Sequence, residues 1–278
     1  MKPAFQKDEQ LIADIKSGMK LNSGFRLWWL GQSGFLIQWQ GKHLLIDPYL
    51  SDSLTKKYSA TDKPHVRITE RVVDPARLDF IDIITSSHNH TDHLDGETLI
   101  PLFAANPQAI FVIPEANRIF AANRIQKEIN FPLGMTAGQT AEIAGFRITA
   151  IPAAHEELET DPEGRHIYLG YIFSFGDWTV YHSGDTVLYP GLADRLKEYS
   201  PSILLLPING RAPERRVAGN LNAAEAVLLA KEVSAQCVIP CHYDMFEFNT
   251  ADPQYFIHYA NSERQPYSVL QNGERAEF

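Results

Sequence analysis

The chain has 278 residues, 44% of them hydrophobic, and a formal net charge of -9. That is enough apolar material for a large core in one α/β domain over residues 1–278, while the acidic balance excludes a broad nucleic-acid face, which needs basic groups to neutralise phosphates. Two cysteines, Cys237 and Cys241, are too few and too close to staple a secreted fold. Residues 1–20 contain no apolar stretch of signal-peptide length, and nowhere is an apolar run long enough to span a bilayer. The expected setting is therefore cytoplasmic, with neither nucleic acid nor membrane as partner.

In chain order, Leu11, Ile12, Ile15 and Met19 recur at helical spacing among charges, so residues 8–19 are expected to form an amphipathic helix. Aromatic and β-branched runs at 25–30, 34–39 and 43–46, separated by Gly31-Gln32-Ser33 and Gln40-Gly41, predict a β-meander. Asp47 ends it, either as a turn residue before Pro48 or as a partner to a nearby site. Residues 51–77 show no clean period and read as a long loop, either a wall of a substrate site, since loops of that length in a compact domain tend to be functional, or a solvated connector.

Residues 80–85 then form a short β-branched strand, which delivers the sequence SSHNHTDHLD, residues 86–95, to a sheet edge. His88 and His90, two apart, fall on one side of an extended segment, with Asp92 and His93 following at once. Imidazole and carboxylate packed so tightly suit a divalent transition metal. Asp95 caps a helix over 95–103. A strand at 109–113, a helix at 115–125 and two strands within 138–151 follow, the last running into His155. A hairpin over 166–175 and 178–182 turns at Gly176-Asp177 and ends just before Asp185. Strand 202–206, helix 223–233 and strand 237–240 complete the pattern, with His242 at the final strand end. Similar order in both halves implies a pseudo-duplicated architecture in which two sheets bring these strand ends to one rim.

The motif His88-x-His90-x-Asp92-His93, followed in order by His155, Asp185 and His242, resembles the signature of metallo-β-lactamase superfamily hydrolases. The flanking stretches 27–31, 73–75, 181–185, 238–240 and 251–254 resemble the L-ascorbate-6-phosphate lactonase branch most closely. Read singly, His155, Asp185 and His242 could each be an ordinary surface, turn or core residue. Together they stand in the family's order. The resemblance implies a four-layer αβ/βα sandwich holding two divalent metal ions, zinc or manganese. His88, His90 and His155 would bind one ion, Asp92, His93 and His242 the other, and Asp185 both. Asp92 would also act catalytically on a metal-bound hydroxide. A homo-oligomer is implied as well.

No G-x-S-x-G nucleophile elbow is present, in keeping with a metal-activated water. An anionic or phosphorylated sugar lactone is the expected substrate, with Arg211 and Lys56 as the anion-holding residues. A phosphodiesterase of the same superfamily and a non-catalytic metal-binding ligand sensor are the two alternative readings.

Overall fold

The computed structural model describes residues 1–18 and 23–278. Met19, the last apolar position of the expected first helix, lies outside the described residues; the helix itself, α1, runs Asp8–Ser17.

The meander forms as β1 (Arg26–Gly31), β2 (Gly34–Trp39) and β3 (Lys42–Ile46), all antiparallel. It continues in parallel through β4 (Ile83–Thr85), β5 (Ile110–Pro114) and β6 (Leu133–Met135). The second sheet repeats that plan. Its antiparallel part is β7 (Thr140–Ile143), β8 (Phe146–Pro152), β9 (Leu169–Phe175) and β10 (Trp178–His182). Its parallel part adds β11 (Ile203–Pro207) and β12 (Cys237–Cys241). Strand β13 (Arg275–Glu277) pairs with the outer edge of β1.

Side-chain alternation shows how the layers stack. Leu27 and Trp29 of β1, Phe35 and Ile37 of β2, and Ile83 of β4 join the cluster that also takes in the second sheet. Their neighbours Trp28, Leu30, Leu36 and Ile84 point the other way, against Leu11 and Ile15 of α1 and the helices α3 (Gly96–Ala105) and α4 (Arg118–Arg124). Period-two alternation thus buries both faces of the first sheet, one on helices and one on its partner sheet. Strand β11 is buried at every position and is backed by α6 (Ala223–Glu232) and α7 (Pro253–Glu263), which completes four layers. Among the described residues, no helix is long and apolar enough to cross a membrane.

Several expectations are corrected. Segment 51–77 is not loop throughout: it carries the short helix α2 (Ser53–Tyr58) and a 3-10 turn at Pro75–Arg77. The strand expected from residue 166 begins only at Leu169, because the preceding stretch closes a small loop through the Thr160–His166 bridge. Besides α2, four helices and strands have no counterpart in the expected pattern: β6, β13, α5 (Leu192–Lys197) and α7. The first three are too short to show a period. Helix α7 did have a signal, Asp252 as a side-chain cap with Pro253 in the first turn.

Packing in the double-sided layer should dominate stability. Leu205→Ala in fully buried β11 is expected to cost roughly 2–5 kcal/mol, whereas Leu228→Ala, on the half-exposed face of α6, should stay within about 0.5 kcal/mol. Chemical denaturation of the two variants checks the contrast.

Candidate metal centre

Seven side chains from four loops meet where the two sheets abut. His88, His90, Asp92 and His93 come from the turn between β4 and α3. It is held closed by backbone bonds from His93 and Leu94 to the His90 carbonyl (3.1 and 2.8 Å) and by Ser86 Oγ donating to the His93 carbonyl (2.6 Å). At its exit Asp95 caps α3 and accepts from Ser51 Oγ at 2.6 Å. His155 follows β8, Asp185 follows β10, and His242 follows β12. These three strands run in one direction, so their ends share a rim.

Two groups emerge, each with ligand atoms within 4.8 Å of one another: His88, His90, His155 and Asp185, and Asp92, His93, Asp185 and His242. Asp185 belongs to both. Its Oδ1 is 3.3 Å from His93 Nε2, and its Oδ2 is 3.5 Å from both His155 Nε2 and His242 Nε2. Asp92 Oδ2 lies 3.6 Å from His93 Nε2 and 3.5 Å from His242 Nε2. All seven side chains expected from the sequence are therefore brought together.

Behind them stands a layer that aims the rings. Buried Asp47 accepts from His93 Nδ1 at 2.6 Å and from Ser87 Oγ on one carboxylate oxygen, and from the Ser87 backbone N–H at 2.9 Å on the other. His155 Nδ1 donates to the Gly219 carbonyl at 2.8 Å. Holding the proton on Nδ1 leaves the Nε2 lone pair turned to the cluster, the usual arrangement behind a metal. Asp47 is thus a partner to the site as well as the end of β3. Gly184, with φ +59, packs so close to Ser87 that an added Cβ would lie 2.5 Å from the Ser87 Cβ, so only glycine lets the Asp185 loop approach.

The electrostatics describe a site built for cations. Burial opposes ionisation of Asp92 and Asp185, yet the imidazoles of His93 and His242 outweigh it and hold both carboxyls well below the usual range. Conversely, burial disfavours charge on His93 and His242, but the same carboxylates push His93 well up and His242 to about 9. Burial depresses His90 to about 4, and burial together with the neighbouring His93 and His90 rings holds His88 well below the ordinary imidazole value. His88 Nε2, His93 Nε2 and Asp185 Oδ1 are buried without any hydrogen-bond partner. Orphaned atoms of this kind, in an imidazole and carboxylate set of this spacing, fit divalent metal.

Comparison with known proteins agrees. Residues 26–242 match the family model described as "Beta-lactamase superfamily domain". The chain belongs to this superfamily. It is 31% identical over 235 residues to the UPF0173 metal-dependent hydrolase of Methanosarcina mazei, covering 83% of this chain and 88% of the relative. A UPF0173 metal-dependent hydrolase of Methanopyrus kandleri is 30% identical over 235 residues, covering 83% and 89%. Among solved structures, the metallo hydrolase Igni18 of Ignicoccus hospitalis superposes with a TM-score of 0.66 at 23% identity, over 92% of this chain and 99% of that one. An isothiocyanate hydrolase from Delia radicum gut bacteria gives 0.70 at 19%, over 91% and 99%. These structures share the metallo-β-lactamase fold. The chain is a metal-dependent hydrolase of the superfamily, with a histidine and aspartate cluster able to bind metal.

Beside the cluster opens a cavity of about 330 Å³, lined by His90, Asp92, His155 and Asp185 and by Lys57, Lys63, His65 and Arg124. The two residues expected to hold the substrate's anion do not line it. Lys56 points outward to Glu97 (2.7 Å), and Arg211 pairs with Glu225 at the start of α6 (2.7 Å). Each is drawn off by a carboxylate. Lys57, one position on, faces the cavity, and among the described residues its ammonium makes a single hydrogen bond, a long one of 3.4 Å, to Thr91 Oγ1. Segment 51–77 does supply part of the cavity wall, but through Lys57 rather than the expected Lys56, a choice made by the phase of α2.

Because His93 and His242 carry protons in the metal-free protein near neutrality, metal uptake by their group should expel them, about two per site, whereas His88 and His90 have none to give. Raised values mean the protons hold on until the pH climbs past them, so affinity should strengthen as pH rises. Calorimetric titration in buffers of different ionisation enthalpy measures the release; none at pH 7 would contradict this charge arrangement.

Proposed function

We propose that the chain hydrolyses a small anionic ester of the lactone class, with a phosphorylated or carboxylated sugar lactone as the leading substrate type. The carrying observation is the pair of four-residue groups that share Asp185 at the floor of a cavity sized for a small molecule. His88, His90 and His155 would hold one divalent ion, Asp92, His93 and His242 the other, and Asp185 would touch both. Zinc and manganese both suit these nitrogen and oxygen donors. When bound, such ions supply a Lewis acid and a water acidic enough to attack near neutral pH.

The chain's own residues do the rest. Asp47 and the Gly219 carbonyl hold His93 and His155 in the tautomer that presents Nε2. Asp92 lines the cavity wall and would take a proton from the attacking water as the water's oxygen adds to the carbonyl carbon. When the ring C–O bond breaks, the same proton can pass from Asp92 to the departing oxygen. Lys57 and Lys63 replace Lys56 and Arg211 as the groups that hold the substrate's anion, since both line the cavity and neither has a carboxylate partner among the described residues. An ammonium kept free of internal acids retains its charge for a ligand.

Metal analysis of a loaded preparation should approach two ions per chain. Asp185→Ala should lower occupancy at both positions and His155→Ala chiefly at one; equal single-ion losses would contradict the shared carboxylate. Steady-state kinetics on matched lactones with and without an anionic group test the substrate class. Lys57→Met should lower kcat/KM for the anionic member roughly tenfold, as loss of one charge-assisted bond does, and leave the neutral member unchanged. No turnover of any lactone, with hydrolysis of phosphodiesters instead, would move the assignment to that class.

A further inference from the structure

One buried amide at the cluster plays no part in the hydrolytic reading. Gln32 sits in the tight turn between β1 and β2, 3% exposed, with φ 51. Its carbonyl accepts from the His242 backbone and from Trp29 Nε1, each at 3.0 Å. Its side-chain Nε2 donates to Asp92 Oδ2 at 2.9 Å and lies 3.0 and 3.2 Å from His242 Nε2 and Nδ1. Near-equal distances to both ring nitrogens put the amide against the imidazole rather than in line with one lone pair, so the directional bond is the one to Asp92.

A single residue therefore fixes two members of one four-residue group, through its side chain at Asp92 and through its backbone at His242. Those members come from different sheets. Asp92 follows β4, His242 follows β12, and His242 itself adopts a left-handed backbone, φ 65, that the bond to the Gln32 carbonyl helps to hold. Asp92 is the more accessible of the two carboxylates and is open to the cavity, so fewer packing contacts hold its rotamer than hold that of Asp185. No hydrogen bond from Gln32 reaches His88, His90 or His155 among the described residues. The amide acts on one group only.

We propose that Gln32 is a positioning residue for the ion held by Asp92, His93, Asp185 and His242, and that it sets that ion's affinity independently of the other's. This rests on the two-ion reading above. Donating to one carboxylate oxygen leaves the remaining lone pairs of Asp92 for the ion while removing the rotamer freedom that binding would otherwise have to freeze. Losing such an orienting partner typically weakens metal affinity about 10- to 100-fold.

The test is zinc binding by competition with a chromophoric chelator, on the metal-free full chain and on Gln32→Met, which keeps the length of the side chain and removes its donor. Cobalt(II) absorbance follows the same two steps by ligand field rather than by activity. The expected result is two dissociation constants for the parent protein, one of which weakens about 10- to 100-fold in Gln32→Met while the other shifts less than about threefold. Should Gln32→Met fail to fold, Gln32→Asn replaces it: asparagine tolerates the left-handed backbone and its amide is one carbon too short for Asp92. If the parent protein never takes a second ion, the two-ion reading itself falls. If it takes two and the variants change neither constant, or weaken both alike, the assignment to Gln32 is overturned.

Discussion

The whole arrangement depends on two carboxylates, Asp92 and Asp185, gathered at the seam between the sheets, Asp185 wholly beneath the surface. A buried carboxylate is costly unless positive charge and hydrogen-bond donors surround it. Here the compensation comes from imidazoles delivered by both sheets, and Asp185 is reached by rings from three separate loops. The site exists only when the sandwich is closed. Conversely, a metal-free cluster that must borrow protons from His93 and His242 is an imperfect substitute for divalent ions, and three of its buried atoms stay unpaired.

Closure is secured by contacts that lie just behind the ligands. Trp29 of the first sheet stacks on Tyr243 beside His242 at 4.4 Å, and His182 Nε2 donates to the Ser33 carbonyl at 3.0 Å. Leu169 donates its backbone N–H to the Ser87 carbonyl, and Ala154 does so to Thr186 Oγ1, both at 3.0 Å. The last joins the His155 and Asp185 loops directly, and the others tie a ligand-bearing loop, or the strand leading into it, to a neighbouring strand or turn. Packing and catalysis are therefore served by the same segments, which explains why glycine is required at position 184 and why the turn at Gln32 is so deeply enclosed.

Around this floor the charge is sorted by direction. Lys56, turned from the cavity, pairs with Glu97, while Lys57 and Lys63 line the cavity without a carboxylate partner among the described residues, the Lys63 ammonium donating to the Arg216 carbonyl. His65 sits among Tyr58, Phe246 and Phe248 with Nδ1 on the Lys63 carbonyl at 2.8 Å. Aromatic packing thus gives this wall a fixed shape within a segment that has little regular structure.

Much of this could be read from the amino-acid order alone. The ligand cluster was legible because four of its members fall within six consecutive residues and the other three each follow a strand whose alternation or β-branched run is a local property. Layering followed from the same alternation. What the sequence could not carry were choices made by contacts between distant parts of the chain. Lys57 rather than Lys56 faces the cavity because a short helix phases them and Glu97 captures one. Arg211 is lost to Glu225, Asp47 becomes the partner of His93 across 46 positions, and Gln32 meets Asp92 across 60. Metal-binding residue types announce themselves by chemistry and spacing, whereas the groups that aim them are ordinary polar residues. Only the closed sandwich, by burying those residues and forcing each to find a hydrogen-bond partner, decides which ones serve the site.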